Sequence, residues 1–137
     1  MNSLNDRESL GAEFLDLTGV RILLVEDSWP VGEALKSMLR ALGADVTGPA
    51  ATTADAERLI AQRNPDVGIV DYNLRGGELA NGLIDSMNTQ GIRVIVLSGY
   101  STVPLSTGKA ASVLQKPVVE ARLIAALRPV VQEKAAR

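Results

Sequence analysis

Five polar residues hold the chemistry this sequence offers, and each follows directly on an apolar run. Glu26 and Asp27 come after VRILLV, Asp71 after VGIV, Ser98 after RVIVL and Lys116 after SVLQ. Brought together, they make a set of three carboxylates, one hydroxyl and one ammonium. Clustered carboxylates repel one another and call for a cation. The chain has no cysteine and no histidine, so its ligands are oxygens, and a hard ion such as Mg²⁺ is favoured. Mg²⁺ keeps several waters, which leaves part of its shell open to a phosphate. A carboxylate held beside that ion and a lysine can attack phosphorus and form an acyl phosphate, while the two cations offset charge on the transferring oxygens. The Ser98 hydroxyl can then hydrogen-bond a phosphoryl oxygen. Taken singly, each residue has an ordinary explanation. Glu26 and Asp27 could cap a helix, and Asp71 could open a turn before Asn73. Ser98 could be a turn residue, and Lys116 a solvated charge. The specific signal is their conjunction at successive run ends.

The elements that must position these residues follow from periodicity. Val20 to Val25 reads as a strand. Residues 30–42 read as a helix with Val31, Leu35, Met38, Leu39 and Leu42 inward, Ser28 as N-cap, Pro30 in the first turn and Gly43 as the stop. Residues 45–48 form a weak strand. Thr52 or Thr53 caps a helix through about Gln62, with Ala56, Leu59 and Ile60 inward, and Asn64-Pro65 ends it. Strands are expected at 67–70, running into Asp71, at 93–97 and at 112–115, with a helix at 79–87 weakened by Gly82. The stretch 99–111 is rich in Gly, Ser and Thr, so any helix there is short. A last helix starts at Pro117, has Leu123, Ile124 and Leu127 inward, and is bent or ended by Pro129. Residues 1–18 read as an N-terminal extension, either a frayed arm or a helix over 7–17 with Leu10, Phe14 and Leu17 on one face; residues 19–137 form the domain. Continuous apolar strands separated by helix-length segments make a parallel sheet covered on both faces. The expected fold is α/β, a doubly wound five-stranded (βα)₅ sheet of flavodoxin-like topology whose fourth helix, between strands 4 and 5, is shortened. Its site lies beyond the carboxyl ends of the strands.

Composition narrows the function. At 137 residues the chain fits one domain. Its 14 basic and 16 acidic residues form no basic run, which argues against nucleic acid as a partner. No apolar stretch approaches the roughly 20 residues that span a bilayer, and the polar N-terminus is unlike a signal peptide. A cytoplasmic protein is expected, without membrane contact. The absence of histidine removes any phosphohistidine carried by the chain itself.

Residues 20–128 resemble the receiver domain of response regulators. LLVEDS is similar to the family's acidic-pair strand, VDYNL to its phosphoacceptor strand, VLSGY to its Ser/Thr strand and VLQKP to its Lys-Pro strand. The resemblance implies that Asp71 is the phosphoacceptor and that Glu26, Asp27, Asp71 and the backbone carbonyl of Asn73 hold Mg²⁺. It further implies that Ser98 is the switch hydroxyl, that Lys116 pairs with the phosphoryl group, and that Lys116-Pro117 is cis. More narrowly, DYNLRGGELANG and VLSGY resemble stand-alone single-domain receivers of alphaproteobacteria. Two features depart from the common pattern. Val113 stands where receivers carry an aromatic residue, and the segment between Ser98 and Lys116 is short. Val113 cannot act as an aromatic rotamer switch, so Tyr100, two residues after Ser98, is the switch candidate.

The expected function is that of a phosphorylation-controlled switch or carrier in a two-component system or phosphorelay. It is not an enzyme beyond slow autodephosphorylation. A histidine kinase or histidine phosphotransfer protein is the donor, and an unknown output protein is the receiver of the signal, because no effector follows Lys116. Two alternatives use similar folds. A phosphatase of haloacid-dehalogenase type needs a second aspartate two residues after the nucleophile, where this chain has Asn73. A flavodoxin-like cofactor binder needs a phosphate-cradling loop after strand 1, where this chain has Glu26-Asp27.

Overall fold

In the computed structural model, which describes residues 14–99 and 108–136, five strands form one parallel sheet. They are β1 (Arg21–Val25), β2 (Asp45–Ala50), β3 (Val67–Asp71), β4 (Arg93–Ser98) and β5 (Ser112–Gln115). Their spatial order is β2-β1-β3-β4-β5, and four α-helices are described: α1 (Trp29–Ala41), α2 (Thr53–Arg63), α3 (Asn81–Thr89) and α4 (Glu120–Ala135). The topology follows from strands that are apolar on both faces. Ile22, Leu24, Val67, Ile69, Ile95 and Leu97 join one buried cluster with Leu35 and Leu39 of α1 and Leu123, Ile124 and Leu127 of α4. Leu23, Val25, Val70, Val94 and Val96 join the other, with Ala56 and Ile60 of α2 and Leu83, Ile84 and Met87 of α3. Two-residue alternation thus sends neighbouring side chains to opposite layers, so both faces must be covered. The chain leaves β1 toward β2 and returns to β3 on β1's other side. The crevice at this reversal opens beyond the carboxyl ends of β1 and β3.

Several boundaries differ from the sequence reading. β2 runs two residues further, to Ala50, through an irregular register with β1 at Gly48, whose φ is +104°. The Gly48–Pro49 peptide bond is cis, and so is Lys116–Pro117. α3 begins at Asn81 rather than Leu79, because Leu79 is taken up in an isolated antiparallel bridge with Asn73 and is half exposed. α4 begins at Glu120 rather than Pro117 and runs through Pro129 to Ala135. A proline inside a helix loses one hydrogen bond and costs about 3 kcal/mol. Burial of Leu127 and Val130 on either side, and the Lys134–Asp66 ion pair at 3.2 Å, hold the last turns against that cost. Val31, expected inward, is exposed, while Gly32 beside it lies against Pro49. Ser28 does stand at the N-cap of α1 but makes no side-chain capping bond, whereas Thr52 caps α2 by accepting from the Asp55 amide at 3.2 Å.

Most of the helix expected over 7–17 lies outside the described residues. Residues 14–17 are not helical. Leu15 and Leu17 are buried, Phe14 is exposed, and the Leu17 amide donates to Leu42 O at 2.8 Å. The short helix expected between β4 and β5, and with it Tyr100, also lies outside the described residues.

Candidate functional site

β1 and β3 deliver the acidic groups because they end within one residue of the same level of the sheet: Val25, the last residue of β1, pairs with Val70, one before the end of β3. Glu26, the first residue past β1, and Asp71, the last residue of β3, therefore meet across the crevice. Their position keeps both almost fully buried, at 2% and 4% exposure. One carboxylate oxygen from each of Glu26, Asp27 and Asp71 lies within 4.8 Å of the others. From the far side β5 ends at Gln115, and Lys116 reaches back over the edge of β4. Its amide donates to Ser98 O at 2.7 Å, which fixes the backbone. Its ammonium donates to Asp71 Oδ2 at 3.0 Å and to Glu26 Oε1 at 3.3 Å, and lies 3.0 Å from Glu26 Oε2 at an angle outside hydrogen bonding. Ser98, the last residue of β4, is fully buried beside them. Asp71, Asn73, Gly99 and Lys116 line a cleft of about 430 Å³ that opens to solvent.

The electrostatics are unbalanced. Three carboxylates face one ammonium. Burial raises the Glu26 carboxyl above its ordinary range; the hydrogen bond from Lys116 opposes this and the charge of Asp71 adds to it. Burial by itself lowers Lys116, but its bonds to Asp71 and Glu26 outweigh that and hold the ammonium charged. A site whose buried Glu26 resists ionisation, with only oxygen donors and an open side, fits a hard dication.

The structure thus brings together all the described sequence candidates: Glu26, Asp27, Asp71, Asn73, Ser98 and Lys116 all border the crevice or its walls. Two contacts of the segment after Asp71 escape a reading of strand ends. Tyr72 is buried on the opposite layer and its hydroxyl donates to Asn81 Oδ1 at 2.7 Å, while Glu78 reaches α2 from the loop beyond Asp71. An acidic residue directly after Gly76-Gly77 was the available signal for the second.

The sequence profile of the response regulator receiver domain matches residues 22–128. The chain belongs to the response regulator receiver family. This receiver domain is also similar in structure to the response regulator PhyR from Brucella abortus, with a TM-score of 0.78 at 19% identity, over 94% of this chain and 54% of that one. It resembles a response regulator receiver domain protein from Clostridium thermocellum with a TM-score of 0.76 at 20% identity, over 85% of this chain and 98% of that one. A mutant form of the anti-anti-sigma factor PhyR from Bartonella quintana gives 0.79 at 18% identity, over 98% of this chain and 57% of that one. The receiver thus spans little more than half the length of either PhyR. Comparison with curated protein sequences finds no match. Receivers are phosphoacceptor signalling domains, and the family supports that role here. Among the described residues no helix is long and apolar enough to cross a membrane.

Proposed function

We propose that this receiver takes a phosphoryl group from a phosphohistidine of a histidine kinase or histidine phosphotransfer protein onto Asp71. An Asp71 carboxylate oxygen attacks phosphorus, the N–P bond breaks, and the histidine nitrogen leaves with the bonding pair; an acyl phosphate remains. Glu26, Asp27, Asp71 and the Asn73 carbonyl would hold Mg²⁺, which supplies charge neutralisation for the phosphoryl oxygens. Lys116 does the same from the other side, and the Ser98 hydroxyl hydrogen-bonds a phosphoryl oxygen. The observation that carries this reading is the position of Asp71: buried, 3.0 Å from an ammonium and inside an acidic trio at the mouth of an open cleft. The donor approaches past a second, apolar cleft of about 500 Å³ lined by Val31, Leu35, Pro117 and Val118 next to Lys116. The signal passes from Ser98 to Gly99 and Tyr100 and leaves by protein–protein contact in the cytoplasm.

Two observations disfavour the alternatives. The residue two positions after Asp71 is Asn73, which has no proton to give a leaving group, so a dehalogenase-type phosphatase lacks its acid. The loop after β1 presents carboxylates to any phosphate, unlike a flavodoxin cradle. The deciding experiment incubates the full chain with acetyl phosphate and Mg²⁺ and measures intact mass. One base-labile phosphoryl adduct, lost in Asp71→Asn, is expected. An adduct that persists in that variant, mapped to another residue, overturns the assignment.

A further inference from the structure

Helix α2 is capped twice at its N-terminus, and the second cap comes from the far side of the Asp71 loop. Thr52 serves the Asp55 amide, as helix caps do. The amide of Thr53, the first residue of the helix, donates to Glu78 Oε1 at 2.9 Å, across 25 residues of chain. This bond joins a carboxylate to the positive end of a helix, the favourable polarity for both.

The segment that carries Glu78 is a closed loop. The Ala80 amide donates to Tyr72 O at 3.0 Å, Leu74 N to Glu78 O at 2.7 Å and Gly77 N to Leu74 O at 3.2 Å, and Asn73 and Leu79 pair as an antiparallel bridge. Gly76 and Gly77, at φ +73° and +78°, allow the reversal. The inner limb of this loop starts at Asp71 and presents the Asn73 backbone, whose amide donates to Asp71 Oδ1 at 3.2 Å. The outer limb is pinned to α2 by Glu78. The Leu74–Glu78 bond and the Asn73–Leu79 bridge connect Glu78 to the backbone of Asn73.

We propose that Glu78 is a positioning residue: it braces the 72–80 loop against helix α2, so that occupancy of the Asp71 site and capping of α2 strengthen one another. The inference rests on the reading of Asp71 and the Asn73 carbonyl as the Mg²⁺ site. Coupling between two binding events is reciprocal: whatever factor Glu78 adds to Mg²⁺ affinity, Mg²⁺ adds to the closure of the Glu78–Thr53 bond. Glu78 is exposed, so the factor sits at the low end of such couplings, about fivefold. The first turn of α2 then becomes a place where the state of the site is felt, on the opposite layer from α1 and α4.

Two variants of the full chain test this, with Mg²⁺ as the only ligand. Glu78→Ala removes the acceptor. Thr53→Pro removes the donor at the helix position where proline is tolerated, after a Thr52 already extended at φ −135° and ψ 160°. Each is expected to weaken Mg²⁺ binding by about fivefold in calorimetric titration, with the double variant no weaker than either. Glu78→Gln, which keeps an acceptor, stays within about twofold of wild type. Saturating Mg²⁺ slows hydrogen exchange at the Thr53 amide by the same factor in the wild type and leaves it unchanged in Glu78→Ala. Wild-type Mg²⁺ affinity in both single variants overturns the proposal, as does Thr53 exchange indifferent to Mg²⁺. If the wild type binds Mg²⁺ and only the coupling is missing, the site reading stands and this one falls. If the wild type binds none, both fall.

Discussion

Asp71→Asn should leave the metal-free protein as stable as the wild type or more so, although it removes one half of a buried ion pair. At an effective dielectric constant near 20, the attraction between Asp71 and Lys116 at 3.0 Å is about 5.5 kcal/mol. Against it stand Glu26 and Asp27, whose oxygens lie within 4.8 Å and so repel Asp71 by at least about 3.5 kcal/mol each, about 7 together. The balance is about 1.5 kcal/mol against the charge, and salt screens the contribution of the more exposed Asp27 most. For a chain of this size that corresponds to roughly 5 °C in unfolding midpoint. The asparagine amide keeps one oxygen where Asp71 offers Oδ1 to the Asn73 amide and Oδ2 to Lys116, so one of these two hydrogen bonds is lost, about 1 kcal/mol, which offsets part of that gain. The assay is scanning calorimetry near pH 8, in chelator and again in Mg²⁺. In chelator the variant should unfold at the wild-type temperature or up to about 5 °C above it. At a hundredfold excess over its dissociation constant, Mg²⁺ stabilises the wild type by about 2.7 kcal/mol and the variant by much less, so the order inverts. A variant less stable than wild type by more than about 1 kcal/mol in chelator would refute the charge balance. Equal stabilisation of both proteins by Mg²⁺ would refute Asp71 as a ligand.

Lys116→Met should behave in the opposite way. It removes the ammonium that lies 3.0 Å from both Glu26 and Asp71 and should cost about 3 kcal/mol in metal-free urea unfolding, part of it recovered in Mg²⁺; a loss below about 1 kcal/mol counts against the pairing. Trp29, the only tryptophan, is exposed two residues after Asp27, so Mg²⁺ titrated at constant ionic strength should change its fluorescence saturably, and Asp27→Asn should weaken the response. A wild-type curve in that variant removes Asp27 from the ligand set. Leu17→Ala should cost about 2 to 5 kcal/mol, because Leu17 is fully buried; a loss below about 1 kcal/mol would show that residues 14–18 stand outside the folding unit.

By itself the sequence determined the sheet and the chemistry of its mouth. Runs such as VRILLV and RVIVL are apolar at every second position on both faces apart from Arg21 and Arg93 at their starts, and only a sheet covered on both sides satisfies that. Because parallel strands point the same way, the residue after each run lands on one edge, so Glu26, Asp71, Ser98 and Lys116 could be grouped from their places in the chain alone. Helix ends were less legible. Pro117 and Leu79 look like helix starts locally, yet the first belongs to the turn out of β5 and the second to a bridge with Asn73. Pro129 looks like a stop, but the burial of Val130 and an ion pair to Asp66 carry α4 past it. Tertiary contact alone decided what is joined across long stretches of chain: Leu17 to Leu42, Lys134 to Asp66, and Glu78 to the first amide of α2. Such partners leave no periodicity in the sequence, because a charge or a hydrogen bond needs one position rather than a face. Apolar burial needs many positions in phase, and that is why it can be read in the order of residues, while the single polar contacts that tune the site cannot.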